Sequence, residues 1–163
     1  MDHRHHYAIS VEWTGNRGSG TSGYRAYGRD LVIRGDGKLH ELSASADPAF
    51  FGDPERWNPE ELLLAALAQC HMLSYLYAAS RRGVVVVAYT DDARGSIEQT
   101  PDGGGHFTEA VLRPVVTIAS GDPAEAMAAH AEAAELCFIA SSVNFPVRHE
   151  PQLLFAESEP EAG

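Results

Sequence analysis

The chain has 163 residues, 44% of them hydrophobic, enough for one ordinary globular domain with a buried core and too few for a second full domain. Its 12 Lys and Arg stand against 23 Asp and Glu, a formal net charge of -11 that repels phosphate backbones and anionic lipid surfaces, so neither nucleic acid nor membrane is an expected partner. Two cysteines are too few for a disulfide-stapled secreted scaffold and lack the close spacing of a zinc site.

The N-terminus, Met1 to His6, has no apolar stretch of signal-peptide type, and no later segment is read as the roughly 18 apolar residues of a membrane span, so a cytoplasmic protein is expected. His3, His5 and His6 on this polar end read as a solvated tail, with residues 1–6 flexible. Tyr7 to Trp13 alternates as a strand, Gly15 to Gly23 reads as a turn or loop, and Tyr24 to Ile33 resumes extended character. A hairpin turn at Arg34 to Gly37 and a returning strand from Lys38 to Ala44 complete a three-stranded meander. Asp47 to Trp57, with its prolines and a glycine, is a connecting loop.

The clearest helix start is Asn58-Pro59-Glu60-Glu61, where Asn58 caps, Pro59 suits the first helical position and Glu61 completes a capping box. Glu61 to Arg81 is apolar nearly all round, which predicts a central buried helix stopped at Gly83. Val84 to Tyr89 continues through Arg94 to Glu98, and a turn at Pro101 to Gly105 leads into Phe107 to Ala119, a long antiparallel hairpin. Asp122-Pro123-Ala124-Glu125 repeats the cap, proline and acid order and opens an alanine-rich helix to about Leu136, with Cys137 at or just beyond its end. Val143 to Val147 and Gln152 to Phe155 add edge strands, and the acidic tail at 157–163 is expected to fray. The order describes a single α+β domain over 1–163, an antiparallel sheet packed with helices.

Cys70 lies in mid-helix, with Leu63, Ala66, Leu67, Leu73, Ser74 and Tyr77 around its face. On position alone both Cys70 and Cys137 read as small buried hydrophobes. His71 is rotated about 100° from Cys70 on the helix, badly placed to serve as its base. His130 and His149 lack partners at metal-ligand spacing, so no metal is expected.

Asn58-Pro59-Glu60-Glu61-Leu62-Leu63 through Gln69-Cys70-His71, read together with Cys137 to Asn144, resembles the OsmC/Ohr family of hydroperoxide reductases. The family pattern has an Asn-Pro-Glu helix start, a reactive cysteine ten residues after that glutamate and a second cysteine at the end of a later helix. The resemblance covers nearly the whole chain, closest to the OsmC-like branch, and implies an OsmC-like fold as an intertwined homodimer. It also implies reduction of organic hydroperoxides by Cys70, with Cys137 as resolving thiol and no bound cofactor. The reductant would be an external dithiol, lipoyl-linked in the family. Tyr24 to Asp30 resembles the segment holding the family's arginine, which places Arg29 there, with Arg25 and Arg34 as alternative registers. Glu60 would orient Arg29. Two departures bear on substrate and reductant: Phe138-Ile139-Ala140-Ser141-Ser142 replaces a proline-containing segment of typical Ohr, and His71 follows the first cysteine.

The implied roles suit the chemistry. A thiolate must attack the O–O bond, and a guanidinium keeps its charge when desolvated and offers several donors in one plane. Ten residues put Glu60 about 15 Å along the helix from Cys70 and roughly 80° round it, so within one unbroken helix the two cannot meet and a shared site in a two-fold dimer is the simpler arrangement. The same apolar cleft supports an alternative, a non-catalytic or redox-sensing binding protein for a small hydrophobic ligand.

Overall fold

The computed structural model describes residues 3–157, which form two compact units meeting in sequence at Leu63 and Leu64. In the first unit, β1 (Ser10–Trp13), β2 (Leu31–Arg34) and β3 (Leu42–Ala44) make an antiparallel sheet in the order β1-β2-β3, the expected meander. Its strands are shorter than expected. Residues 24–30 turn rather than extend, because this segment is tied to the start of the loop: Gly28 N donates to Gly15 O at 2.7 Å, Trp13 Nε1 to Gly28 O at 2.8 Å and Thr14 N to Asp30 O at 2.9 Å. Gly15 is required here, since a Cβ on it would lie 2.1 Å from the Gly28 carbonyl oxygen.

The helix α1 (Pro59–Arg81) begins as its cap predicts: Glu61 N donates to Asn58 Oδ1 at 2.8 Å and Asn58 N to Glu61 Oε2 at 3.3 Å, a reciprocal box. The expectation of all-round burial fails. A single stripe is buried, Leu67, His71, Tyr75, Ala78 and Ala79, whereas Leu73 is 57% and Tyr77 54% exposed. One helix packed on one neighbouring layer hides only the stripe facing that layer. By length and composition α1 is also apolar enough to cross a membrane, contrary to the reading that no segment is. Its buried stripe is built into the core of the second unit.

That core joins α1 to α2 (Pro123–Leu136) and the strands beneath: Tyr75, Ala78 and Ala79 meet Ala126, Ala129 and Ala133 of α2 and Val116 and Ile118 of β7 (Pro114–Ser120). Asp122 caps α2 by accepting from Ala124 N at 2.8 Å, as its sequence predicts. Arg82 bridges the helices by pairing with Glu125 and Glu132.

The long hairpin is present but divided. β4 (Val85–Asp91) pairs with β7 in one sheet, and β5 (Arg94–Gln99) pairs with β6 (Gly105–Leu112) in another. The division falls where Arg113 N donates to the Asp91 carboxylate at 2.7 Å instead of to a ladder carbonyl and where Pro114 has no N–H to give. The last strands correct the sequence reading twice. β8 is Val147–His149 rather than residues 143–147, and both β8 and β9 (Gln152–Phe155) run parallel to their neighbours, β6 and β7, so these two sheets are mixed rather than purely antiparallel. The frayed tail expected at 157–163 falls, from residue 158 on, outside the described residues.

Candidate functional site

Cys70 sits at mid-length of α1, half-buried, and Cys137 is the C-cap of α2, 1% exposed. The second unit brings the two thiols together: both are free, and Cys137 lies close enough to Cys70 for the two groups to interact. Burial first, and then the neighbouring Cys70, push the Cys137 thiol up to about 11. Cys137 is therefore protonated near neutrality, and Cys70 is the more accessible of the two sulfurs. The chain beyond α2 wraps this cysteine: Ala140 N donates to its Sγ at 3.4 Å, and Ser141 N and Oγ both donate to its carbonyl. Ala140 to Ser142 form a single 3-10 turn that holds the wrap.

His71, one residue on, points elsewhere. It is fully buried, its Nε2 lies 3.1 Å from Nδ1 of His130, and its ring stacks on His130 and lies 4.1 Å from the His149 ring. Tyr75 stacks on the His130 ring at 4.0 Å. Burial, with the neighbouring imidazoles adding to it, holds His71 down to about 3, and burial holds His130 down to about 4. The cluster is therefore neutral at ordinary pH. Because His71 Nδ1 is buried without a partner, the least costly tautomer places the proton on His71 Nε2, donated to His130, and leaves Nδ1 a bare acceptor. These histidines come from three separate elements and share no local spacing, so no sequence signal announced their meeting. Among the described residues no group of histidine, cysteine and acidic side chains has the geometry to hold a metal ion.

The other expected site residues belong to the first unit. Arg29 donates from Nη1 to the Tyr27 carbonyl at 2.6 Å and from Nη2 to the Tyr24 carbonyl at 2.7 Å, and its guanidinium lies over the Tyr24, Tyr27 and Phe51 rings. Arg25 lies over Phe51 as well, whereas Arg34 is committed to Glu12 and Glu41 in the sheet. Glu60, in the first turn of α1, has one carboxylate oxygen buried with no hydrogen-bond partner among the described residues. Such an oxygen is costly unless a cation meets it.

Residues 52–152 match the OsmC-like protein family. Among solved structures, an OsmC-like protein of unknown function from Vibrio cholerae is 30% identical, with a TM-score of 0.80 over 91% of this chain and 99% of that one. Two organic hydroperoxide resistance proteins share the fold at lower identity. The one from Elizabethkingia anophelis is 15% identical with a TM-score of 0.68 over 96% of this chain and 100% of that one. OhrB of Bacillus subtilis is 17% identical with a TM-score of 0.59 over 91% of this chain and 98% of that one. No curated protein sequence matches the chain.

Proposed function

Because the chain belongs to the OsmC-like protein family, we propose that it is a cytoplasmic thiol peroxidase that reduces organic hydroperoxides to alcohols, with Cys70 as nucleophile and Cys137 as resolving thiol. The observation that carries this reading is the proximity of two free thiols of unequal burial, the inner one held protonated. The Cys70 thiolate attacks the distal peroxide oxygen, the O–O bond breaks and the alkoxide leaves as the alcohol after taking a proton. Cys70 is then a sulfenic acid, and the Cys137 sulfur displaces its hydroxyl as water to close a disulfide. An external dithiol, lipoyl-linked or otherwise, returns both thiols and is itself oxidised, so no bound cofactor is needed.

The reading includes a homodimer. α1 is one continuous helix, which keeps Glu60 and Cys70 of the same chain apart, and its exposed Leu73, Leu76 and Tyr77 form an apolar surface that a second copy would cover. In that arrangement Glu60 and Arg29 complete the site around the other chain's Cys70, with the guanidinium neutralising the unpaired Glu60 oxygen and holding sulfur and peroxide oxygen.

The test is single-turnover and steady-state consumption of cumene hydroperoxide with several dithiols offered. Cys70→Ser should abolish both, and Cys137→Ser should retain one oxidation of Cys70 and lose turnover; undiminished single-turnover reaction in Cys70→Ser would remove the nucleophile. Arg29→Ala should slow single-turnover oxidation of Cys70 by at least about tenfold, and an unchanged rate would direct attention to Arg25. Refolding Glu60→Ala and Cys70→Ser chains together should restore activity that neither shows alone.

A further inference from the structure

Ser45 follows β3, is buried, and joins the stretch that enters β2 to the stretch that enters α1, all within the first unit. Its N donates to the Trp57 carbonyl at 2.9 Å, its Oγ accepts from Asp53 N at 3.1 Å, and the same hydroxyl donates to Asp30 Oδ1 at 3.4 Å. Two further links run beside it. Arg56 lies 3.3 Å from the Asp53 carboxylate and 3.9 Å from that of Asp30, and Ala44 forms a parallel bridge with Trp57. A hydroxyl buried this deeply is costly unless its donor and acceptor roles are both filled, so it holds its partners to one arrangement.

These two stretches carry the charged residues placed in the peroxidase site. Arg29 precedes Asp30, whose carbonyl accepts from Thr14 N at 2.9 Å, and Glu60 stands three residues beyond Trp57 in the first turn of α1. Each residue has a local anchor that does not involve Ser45. The Arg29 guanidinium donates to the Tyr24 and Tyr27 carbonyls, and the reciprocal bonds of Asn58 and Glu61 fix the helix start. What those anchors leave open is the position of one stretch relative to the other, and the Ser45 hydroxyl bridges that gap between Asp30 and Asp53.

We propose that Ser45 is a positioning residue for hydroperoxide reduction, its hydroxyl fixing the place of Arg29 relative to Glu60 so that guanidinium and carboxylate meet the reacting thiol together. This rests on the peroxidase reading and extends it to a residue that never touches the peroxide. Loss of the hydroxyl leaves Asp53 N–H without its acceptor and frees the Asp30 side chain, while both local anchors survive. The helix start and the arginine each stay folded, and their separation becomes loose. A displacement of about 1 Å in a charged group that must hold sulfur and peroxide oxygen is enough to slow the reaction severely.

The test is the single-turnover rate of Cys70 oxidation by cumene hydroperoxide in the full chain, at a temperature where circular dichroism shows each variant folded. Ser45→Ala should slow it by at least about tenfold, yet by less than about twofold when Arg29 is already alanine, because the hydroxyl acts through that arginine. A purely structural role would slow both backgrounds alike. Asp30→Asn, which keeps an oxygen for the Ser45 O–H, should stay within about threefold of the parent chain, and Asp30→Ala should fall with Ser45→Ala. The Asp30 pair decides alone if Ser45→Ala does not fold. An undiminished rate in Ser45→Ala or Asp30→Ala, or a full Ser45 effect surviving in the Arg29→Ala chain, overturns the proposal and leaves the peroxidase reading standing. A parent chain whose Cys70 is not oxidised overturns both.

Discussion

Two neighbouring faces of α1 receive opposite treatment. On one, Cys70 is half-buried and faces another thiol, while about 100° round the helix His71 is sealed among two further imidazoles and a tyrosine. The first face keeps a reactive atom within reach of solvent, and the second uses the protein interior to strip a normally titratable group of its charge. Adjacency in sequence therefore says little about shared chemistry on a helix. A cysteine followed by a histidine suggests a nucleophile and its base, yet this histidine has its Nε2 engaged with His130 and holds its proton affinity far below the usual 6.5.

The strongest test of the contrast exchanges the two residues' phenotypes. Cys70→Ser should lower hydroperoxide consumption by at least about a thousandfold while leaving the thermal midpoint almost unmoved. His71→Ala should do the reverse, costing about 2–4 kcal/mol in denaturant unfolding while the folded fraction keeps activity within a factor of about three. A His71→Ala chain that is stable and inactive would make the histidine part of the chemistry and dissolve the distinction.

Acid should act on the histidine face alone. His71 and His130 bind protons less readily folded than unfolded, so their contribution to stability is fully present above pH 6.5 and is lost as pH falls toward about 4 and 3. By pH 4.5 the unfolding free energy should have dropped by about 2 kcal/mol for each of the two, measured by urea titration at stepped pH. The slope should shrink in His130→Phe; an identical slope there would assign the acid sensitivity to other groups.

A smaller effect sharpens the thiol face itself. At pH 7.5 iodoacetamide should modify Cys70 at least about tenfold faster than Cys137, because the inner thiol is buried and pushed up to about 11. Equal rates by mass spectrometry would show that the pair opens too readily for its unequal burial to matter.

What the sequence revealed follows the range of the forces involved. Both helix starts were legible because a cap, a proline and an acidic residue act within one turn, and the structure places Asn58 and Asp122 in those roles. The meander was legible from alternation, and Cys137 at the end of α2 from the end of the alanine run. The parallel pairing of β8 and β9 was not, since a strand of three or four residues carries no mark of which neighbour it will join. Nor was the exposed stripe of α1: composition gives the helix's apolar content and says nothing of how much one chain can cover. The thiol pair needed a family resemblance to stand out, because each cysteine alone reads as core. The place of Arg29 depends on a loop folding back on its own base, and nothing in a glycine-rich stretch predicts the return.

That return has a practical side. Gly28 N to Gly15 O, Thr14 N to Asp30 O and Trp13 Nε1 to Gly28 O tie the base of the loop, so its tip, exposed at Gly18 and Ser19 and partly covered at Gly20, is anchored at both ends independently of its own length. A graft of several residues at Gly20 should cost only a few tenths of a kcal/mol in closure entropy. The tip is thus a natural place to attach a reporter or affinity tag without disturbing the strands it joins.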